Sequence, residues 1–234
     1  MIPLCVVGRG RVGHAIGALN SNIVTLSART ADFPKTLTDA VVDGARVLIT
    51  ARDSDGSARS NLDLAARIAD TAHAAGATAD HILHFSSYSV GRITGDYSNE
   101  KRLLEAAVRR GDVVGRALRI PILLIPDARF LFILGELRWG VETDVIHPKL
   151  TLPILALPDM INKISALPSG SQDLKILAGT MTTIEDLITR HKPIATKPTF
   201  PNLRISQLME YSREIQCGNS PDTHYERQHR AVDL

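Results

Sequence analysis

Three residues near the middle of the chain have the types and the spacing for proton transfer. Tyr97 and Lys101 stand four apart in Tyr97-Ser98-Asn99-Glu100-Lys101, which puts them on one face of a helix, about one turn from each other. An ammonium beside a phenol favours the phenolate, and such a pair suits proton exchange with a carbonyl or an alcohol. Ser87, the second of the pair Ser86-Ser87, follows the apolar run His81–Phe85 and offers a hydroxyl to orient the same oxygen. An amphipathic helix with an exposed lysine carries the same spacing. The preceding serines and a glycine loop upstream make it more specific.

That loop is Val6-Val7-Gly8-Arg9-Gly10-Arg11-Val12-Gly13, a G-x-G-x-x-G placed after a strand-like run and opening a helix-like one. Gly8 permits the tight turn, Gly10 lets a pyrophosphate approach the backbone, and Gly13 allows helix and strand to pack closely. Exposed N–H groups at the helix start add attraction for phosphate. The acid that usually holds a ribose 2′-hydroxyl falls about 20 residues on. Here that stretch reads Thr25-Leu26-Ser27-Ala28-Arg29-Thr30, and Asp32 comes slightly late. Ser27 and Arg29 suit a 2′-phosphate instead, with Arg9 and Arg11 adding positive charge. The candidate cofactor residues are therefore Gly8, Arg9, Gly10, Arg11, Val12, Gly13, Ser27, Arg29, and Thr50 and Ala51 at the next strand's end, with NADP(H) favoured over NAD(H).

These residues need a parallel sheet to bring them together. The first 120 residues alternate short apolar runs with longer amphipathic ones, the pattern of βαβ units. Strands are predicted at Leu4–Val7, Ile23–Leu26, Arg46–Thr50, His81–Phe85 and Val113–Ile120. Helices are predicted at Val12–Leu19, Leu37–Val42, Asn61–Ala75 and Asn99–Arg110, the last two stopped by Gly76 and Gly111. The fold class is α/β, a Rossmann-type doubly wound parallel sheet with a small, loop-rich C-terminal substrate lobe. Prolines at 121, 126, 148, 153, 158 and 168 mark that lobe. The division is 1–120 for the dinucleotide core and 121–211 for the lobe, with elements such as Leu174–Leu177 returning to the sheet. Thr183–Arg190 reads as a helix capped by Thr182 or Thr183. Beyond Ser212 the polar chain (212–234) predicts a poorly ordered tail.

At the serine, tyrosine and lysine the sequence resembles the short-chain dehydrogenase/reductase superfamily, in particular its extended branch of nucleotide-sugar epimerases, dehydratases and reductases. Phe85-Ser86-Ser87-Tyr88-Ser89-Val90-Gly91 is similar to the family's strand ending in serines before a valine and a glycine. The resemblance implies Ser87 as the catalytic serine, Tyr97 as the acid/base and Lys101 as the lysine. It also matches Asn61 to the asparagine at the start of the long helix. Arg119-Ile120-Pro121 resembles the arginine-bearing strand end, Asp159 a helix entry, and Leu177–Ile188 the penultimate strand and helix. It covers roughly residues 4–190, weakly after 121. Three departures mark an atypical or trimmed member. The loop is not the G-x-x-G-x-x-G usual in the extended branch, one βα unit is missing before Arg46, and Ser87 and Tyr97 lie close in sequence.

The implied function is an NADP(H)-dependent oxidoreductase, epimerase or dehydratase acting on a sugar or nucleotide-sugar, a small-molecule substrate. The alternative is a non-catalytic NADP(H)-binding sensor or regulatory subunit. A reductase of the β-hydroxyacid or imine type shares the glycine loop but needs a large helical C-terminal domain. Arg129, Arg138, Trp139 and Lys149 are candidates to meet an anionic substrate in the second lobe. A net charge of +2 on 234 residues gives no case for nucleic acid or an anionic membrane. No apolar run reaches the roughly 20 residues of a membrane span. Met1-Ile2-Pro3 leads straight into a strand, so no signal peptide is expected. Cys5 reads as core and Cys217 is distant, so neither a disulfide framework nor a metal site is expected. The expected address is the cytoplasm. Homodimers are common in the family the sequence resembles.

Overall fold

The structure is a computed structural model that describes residues 3–90, 95–125, 127–170 and 174–194. The predicted tail beyond Ser212, like Cys217, lies outside them. Contacts divide the chain into two compact units. Among the described residues the first comprises 3–90, 95–121, 156–170 and 174–178, and the second 122–125, 127–155 and 179–194.

The first unit is built on strands that are apolar on both sides. β1 (Leu4–Val7), β3 (Arg46–Ile49) and β5 (Arg116–Ile120) are buried at every position, as strands of a parallel sheet covered on both faces must be. With β2 (Ile23–Leu26), β4 (Ile82–Ser87) and β8 (Leu174–Ile176) they form a six-stranded sheet in the order β2-β1-β3-β4-β5-β8. Each neighbouring pair is parallel. The sheet ends at β2, where Val24 is 40% exposed, consistent with the missing βα unit. Leu174–Ile176 returns beside β5, as its apolar pattern predicts.

Three helices share one core with one face of the sheet. They are α2 (Phe33–Val42), α3 (Ala58–Ala74) and α4 (Asp96–Arg110). Leu37, Ile68, Ala69, Leu104 and Val108 pack there with Cys5, Val7, Val47, Ile49 and Ile82. The alternate residues Leu4, Val6, Leu48, Leu83 and Leu118 point to the opposite face and are also buried. On that side the chain places α1 (Arg11–Gly17), which packs on β1. Arg46 on β3 donates to the carbonyls of Ile164 and Leu167, tying down the end of α6 (Leu157–Ser165). Burial holds Cys5 inert, with its thiol pushed up to about 12.

The second unit has more regular structure than its prolines announce. It holds a three-stranded sheet, β6 (Ile122–Leu124), β7 (Thr151–Ala156) and β9 (Thr180–Thr183), in the order β6-β7-β9. β7 and β9 run antiparallel. Pro153 sits within β7, while Pro158, in the first unit, stands in the first turn of α6, where a missing N–H costs nothing. α5 (Ala128–Glu142) was not foreseen. Its apolar residues run nearly all round, so no 3.6-residue stripe announces it. Phe130, Leu134 and Leu137 pack with Ile184 and Leu187 of α7 (Ile184–His191). Thr183 caps α7, its hydroxyl accepting from the Asp186 N–H at 3.0 Å.

Candidate functional site

The chain runs from β1 to β2 on one side and then returns to β3 on the other. The crevice between β1 and β3 is thus the switch point at which doubly wound sheets bind ligands. The glycine loop lies there, at the carboxyl end of β1. Gly8 has φ +135°, and a Cβ on it would stand 2.6 Å from the Ala51 nitrogen and from Thr50 Oγ1. A Cβ on Gly13 would stand 1.7 Å from the Gly8 carbonyl oxygen. Gly10 is the opposite case: it is exposed, and a Cβ there would meet nothing within 4 Å. Two glycines therefore close the turn, and the third leaves its outer side open. That is the shape a pyrophosphate needs to reach the backbone, so the residues present fit a dinucleotide. Val12 is half-buried, and Arg9 and Arg11 are exposed.

Ser27 and Arg29 follow β2, and the Ser27 hydroxyl accepts from the Arg29 N–H at 3.3 Å. The Arg29 side chain is 77% exposed and lies 3.3 Å from the Asp53 carboxylate, contributed by the loop after β3. No carboxylate stands at the end of β2 itself, but the fold brings one to Arg29 from the far side of β1. Sequence spacing could not reveal this acid, because only the strand order makes the two residues neighbours.

The proton-transfer candidates stand on β4 and α4. Ser87 ends β4, half-buried, and its Oγ accepts from the Ser89 N–H at 3.1 Å and the Ser89 hydroxyl at 3.0 Å. The Ser98 hydroxyl, on the first turn of α4, donates to Ser89 Oγ at 3.0 Å. A chain of three hydroxyls thus joins Ser87 to the residue beside Tyr97, despite the short connection between them. Two cations lie over the Tyr97 ring, the Arg52 guanidinium and the Lys101 ammonium, each 5.5 Å from its centroid. Such placements attract through the ring quadrupole.

Lys101 is buried, 7% exposed, and its ammonium lies 3.4 Å from Glu100 Oε1. Burial pushes its pKa below the usual lysine range, an effect that Glu100 opposes and Arg52 reinforces. Glu100 is buried in turn. It accepts from Arg52 Nε at 2.9 Å and from the Asn61 amide at 3.1 Å. Asn61 accepts from the Asp53 N–H at 2.7 Å and donates to the Asp53 carbonyl at 3.0 Å, so it fixes the loop after β3 against α4. Arg52 and Glu100 were missed by sequence reasoning. Neither carries a local signal, because the partners of Glu100 come from the loop after β3 and from α3.

A second buried network supports the strand end. Arg119 grips Glu105 with two bonds, at 2.9 and 2.7 Å, and the Ser86 hydroxyl donates to the same carboxylate at 2.6 Å. Ser86 therefore faces α4 as a structural partner, whereas Ser87 bonds to Ser89. In the second unit, Arg138 pairs with Glu142 at 2.8 Å and donates to the Pro193 carbonyl. Trp139 is half-buried and Lys149 exposed, while the Arg129 side chain lies outside the described residues. Among the described residues no helix is long and apolar enough to cross a membrane.

No protein-family model matches the chain, and no curated protein sequence does. Solved structures match it at low identity. The UDP-N-acetylglucosamine 4-epimerase of Bacillus cereus aligns with a TM-score of 0.54 at 12% identity, over 92% of this chain and 99% of that one. The enzyme WbmG of Bordetella bronchiseptica, solved in complex with NAD, gives 0.52 at 12% identity over 88% and 87%. The capsular polysaccharide assembling protein CapF of Staphylococcus aureus gives 0.51 at 15% identity, over 90% of this chain. This chain spans only 65% of CapF. At these identities the likeness shows a shared fold, the Rossmann-type α/β architecture already read from the strand order.

Proposed function

We propose that this chain is an NADP(H)-dependent oxidoreductase, epimerase or dehydratase of the extended short-chain dehydrogenase/reductase type, acting on a sugar or nucleotide-sugar. The observation that carries the reading is that one sheet edge holds both halves of such a site. At the switch point stands a glycine turn closed at Gly8 and Gly13 and open at Gly10. Two strands away, the cations of Arg52 and Lys101 each lie 5.5 Å from the Tyr97 ring centroid. The fold shared with a nucleotide-sugar epimerase and an NAD-bound enzyme supports the substrate class and the cofactor type.

The nicotinamide ring, when bound, supplies or accepts the hydride. The rest is the work of this chain's residues. Gly8, Gly10 and Gly13 admit the pyrophosphate to the backbone beside Arg9, Arg11 and Val12, with Thr50 and Ala51 walling the turn from β3. Ser27 and Arg29 hold the adenosine ribose, and the exposed guanidinium favours a 2′-phosphate. Tyr97 gives its hydroxyl proton to a carbonyl oxygen on reduction and takes one from an alcohol on oxidation. Lys101 and Arg52 favour its ionised form by charge, and Ser87 holds the reacting oxygen by a hydrogen bond.

The test is sugar product formation, with NADPH oxidation read beside it, by the purified full chain with NADP(H) and a panel of 4-keto and 4-hydroxy nucleotide-sugars, parent against Tyr97→Phe. The substitution keeps the ring beside its two cations and deletes only the proton donor. Turnover should fall by roughly 10²–10⁴, the usual worth of a general acid–base. Equal turnover would remove Tyr97 from the reaction.

A further inference from the structure

Behind Lys101 lies a buried histidine that the proposed chemistry does not use. His84, on β4, is 0% exposed. Its Nε2 lies 2.9 Å from the Val114 carbonyl oxygen, so Nε2 carries the proton and donates to that carbonyl. Burial pushes the ring's pKa down to about 4, with the Lys101 charge acting in the same direction against the Val114 bond. The ring is therefore neutral at physiological pH, and its Nδ1 is an acceptor. Among the described residues this Nδ1 is one of few buried side-chain atoms with no hydrogen-bond partner. Such atoms in a folded protein call for an explanation.

The surroundings supply one. His84, Lys101, Glu100 and Asn61 line a small pocket between α3, α4 and the sheet, with Ile49 and Ala51. Its volume of about 10 Å³ is near the least that holds one water. Lys101 brings three N–H donors to this pocket, and its described ion-pair partner is Glu100. The pocket is thus lined both by the residue that carries these donors and by the residue that carries the unpartnered lone pair.

We propose that His84 is a positioning residue for Lys101, accepting through one bridging water a hydrogen bond that starts at the ammonium. The bridge holds Nζ under the Tyr97 ring and favours the charged lysine against its burial. This role rests on the reading of Lys101 as the cation that serves Tyr97, and it extends that set inward to β4. The charged groups acting on Lys101 are Glu100 and Glu105 from α4 and Arg52 from the loop after β3. None of them replaces an acceptor on the β4 side.

Two substitutions separate the ring's two ends. His84→Gln puts an amide near Nε2 and keeps the bond to Val114 while removing the acceptor at Nδ1. His84→Asn keeps an acceptor close to where Nδ1 stands. The full chain, labelled with ¹³C,¹⁵N-lysine and histidine and free of ligand, is titrated by NMR following Lys101 Cε and the His84 ring nitrogens. The parent ring should show the Nε2–H form with a hydrogen-bonded Nδ1. The Lys101 midpoint should move to lower pH by about tenfold in ionisation constant in His84→Gln, and by much less in His84→Asn. The same Lys101 titration in all three folded proteins would overturn the proposal. So would an Nδ1–H tautomer in the parent, which needs no variant to fold. NADPH titration of the same samples is read separately. Failure to bind would sink the functional reading while leaving the His84–Lys101 coupling to its own result.

Discussion

Gly10 and Gly13 stand three residues apart in one loop, and the structure gives a side chain at each opposite consequences. At Gly13 a Cβ would lie 1.7 Å from the Gly8 carbonyl oxygen, more than an ångström inside any contact real Cβ atoms make. The oxygen is backbone, so the β1 turn itself must move. Overpacking of this kind costs about 1–3 kcal/mol, and a chain of this size loses roughly 2–4 °C in Tm per kcal/mol. Gly13→Ala should therefore melt several degrees below the parent and also lose dinucleotide. At Gly10 a Cβ meets nothing within 4 Å, and φ −72° with ψ −176° suits any residue. Gly10→Val should cost no more than about 1 kcal/mol, the scale of an N-cap change. Its side chain fills the space through which the pyrophosphate reaches the backbone. Losing even one charge-assisted hydrogen bond is worth about 1.5–3 kcal/mol, so NADPH affinity should fall at least about tenfold. Thermal melts and calorimetric NADPH titrations of the three proteins decide the matter. Parent-like NADPH binding by a folded Gly10→Val would refute the reasoning, and a Gly13→Ala protein as stable as the parent would refute the packing argument.

Arg29→Ala should weaken NADPH by about tenfold or more while leaving NADH nearly unchanged; equal affinities of the parent for both cofactors, by calorimetry, would contradict the role given to Arg29. Glu105→Gln leaves the buried Arg119 guanidinium facing a neutral amide, and urea denaturation should show a loss of about 3–5 kcal/mol. The His84 pKa near 4 lies below that of the unfolded chain, so the unfolded state binds more protons between about pH 6.5 and 4. Stability should accordingly fall as pH drops through that window, by on the order of 3 kcal/mol. That component should be absent from His84→Gln in denaturation curves at pH 7.5 and 4.5, and a variant with the parent's pH slope would exclude His84 as its source.

The parallel sheet was legible because its central strands are buried on both faces and leave short apolar runs such as Leu4–Val7 and Arg46–Ile49. The glycine loop and the Tyr97–Lys101 pair were legible because their function depends on local spacing. What was not legible depends on non-local neighbours. Asp53 reaches Arg29 only because β1 lies between β2 and β3. Glu100 reads as a surface residue until Arg52 and Asn61 arrive from the loop after β3 and from α3 to pair with it. His84 acquires its free lone pair only because β5 follows Val114 and presents that carbonyl to Nε2. In the second unit, α5 was hidden because a helix with apolar residues nearly all round shows no stripe. Prolines 153 and 158 suggested loops, yet one lies in a strand and the other in a helix's first turn.

The proposed chemistry depends on where the Tyr97 hydroxyl lies when cofactor is bound. A crystal structure of the full chain with NADP⁺ measures it directly. The hydroxyl should lie within hydrogen-bond reach, about 2.6–3.2 Å, of Ser87 or the nicotinamide ribose, with the Lys101 ammonium beside it. Tyr97 turned to solvent, more than about 8 Å from the nicotinamide and so well beyond that reach, would contradict the proposed chemistry.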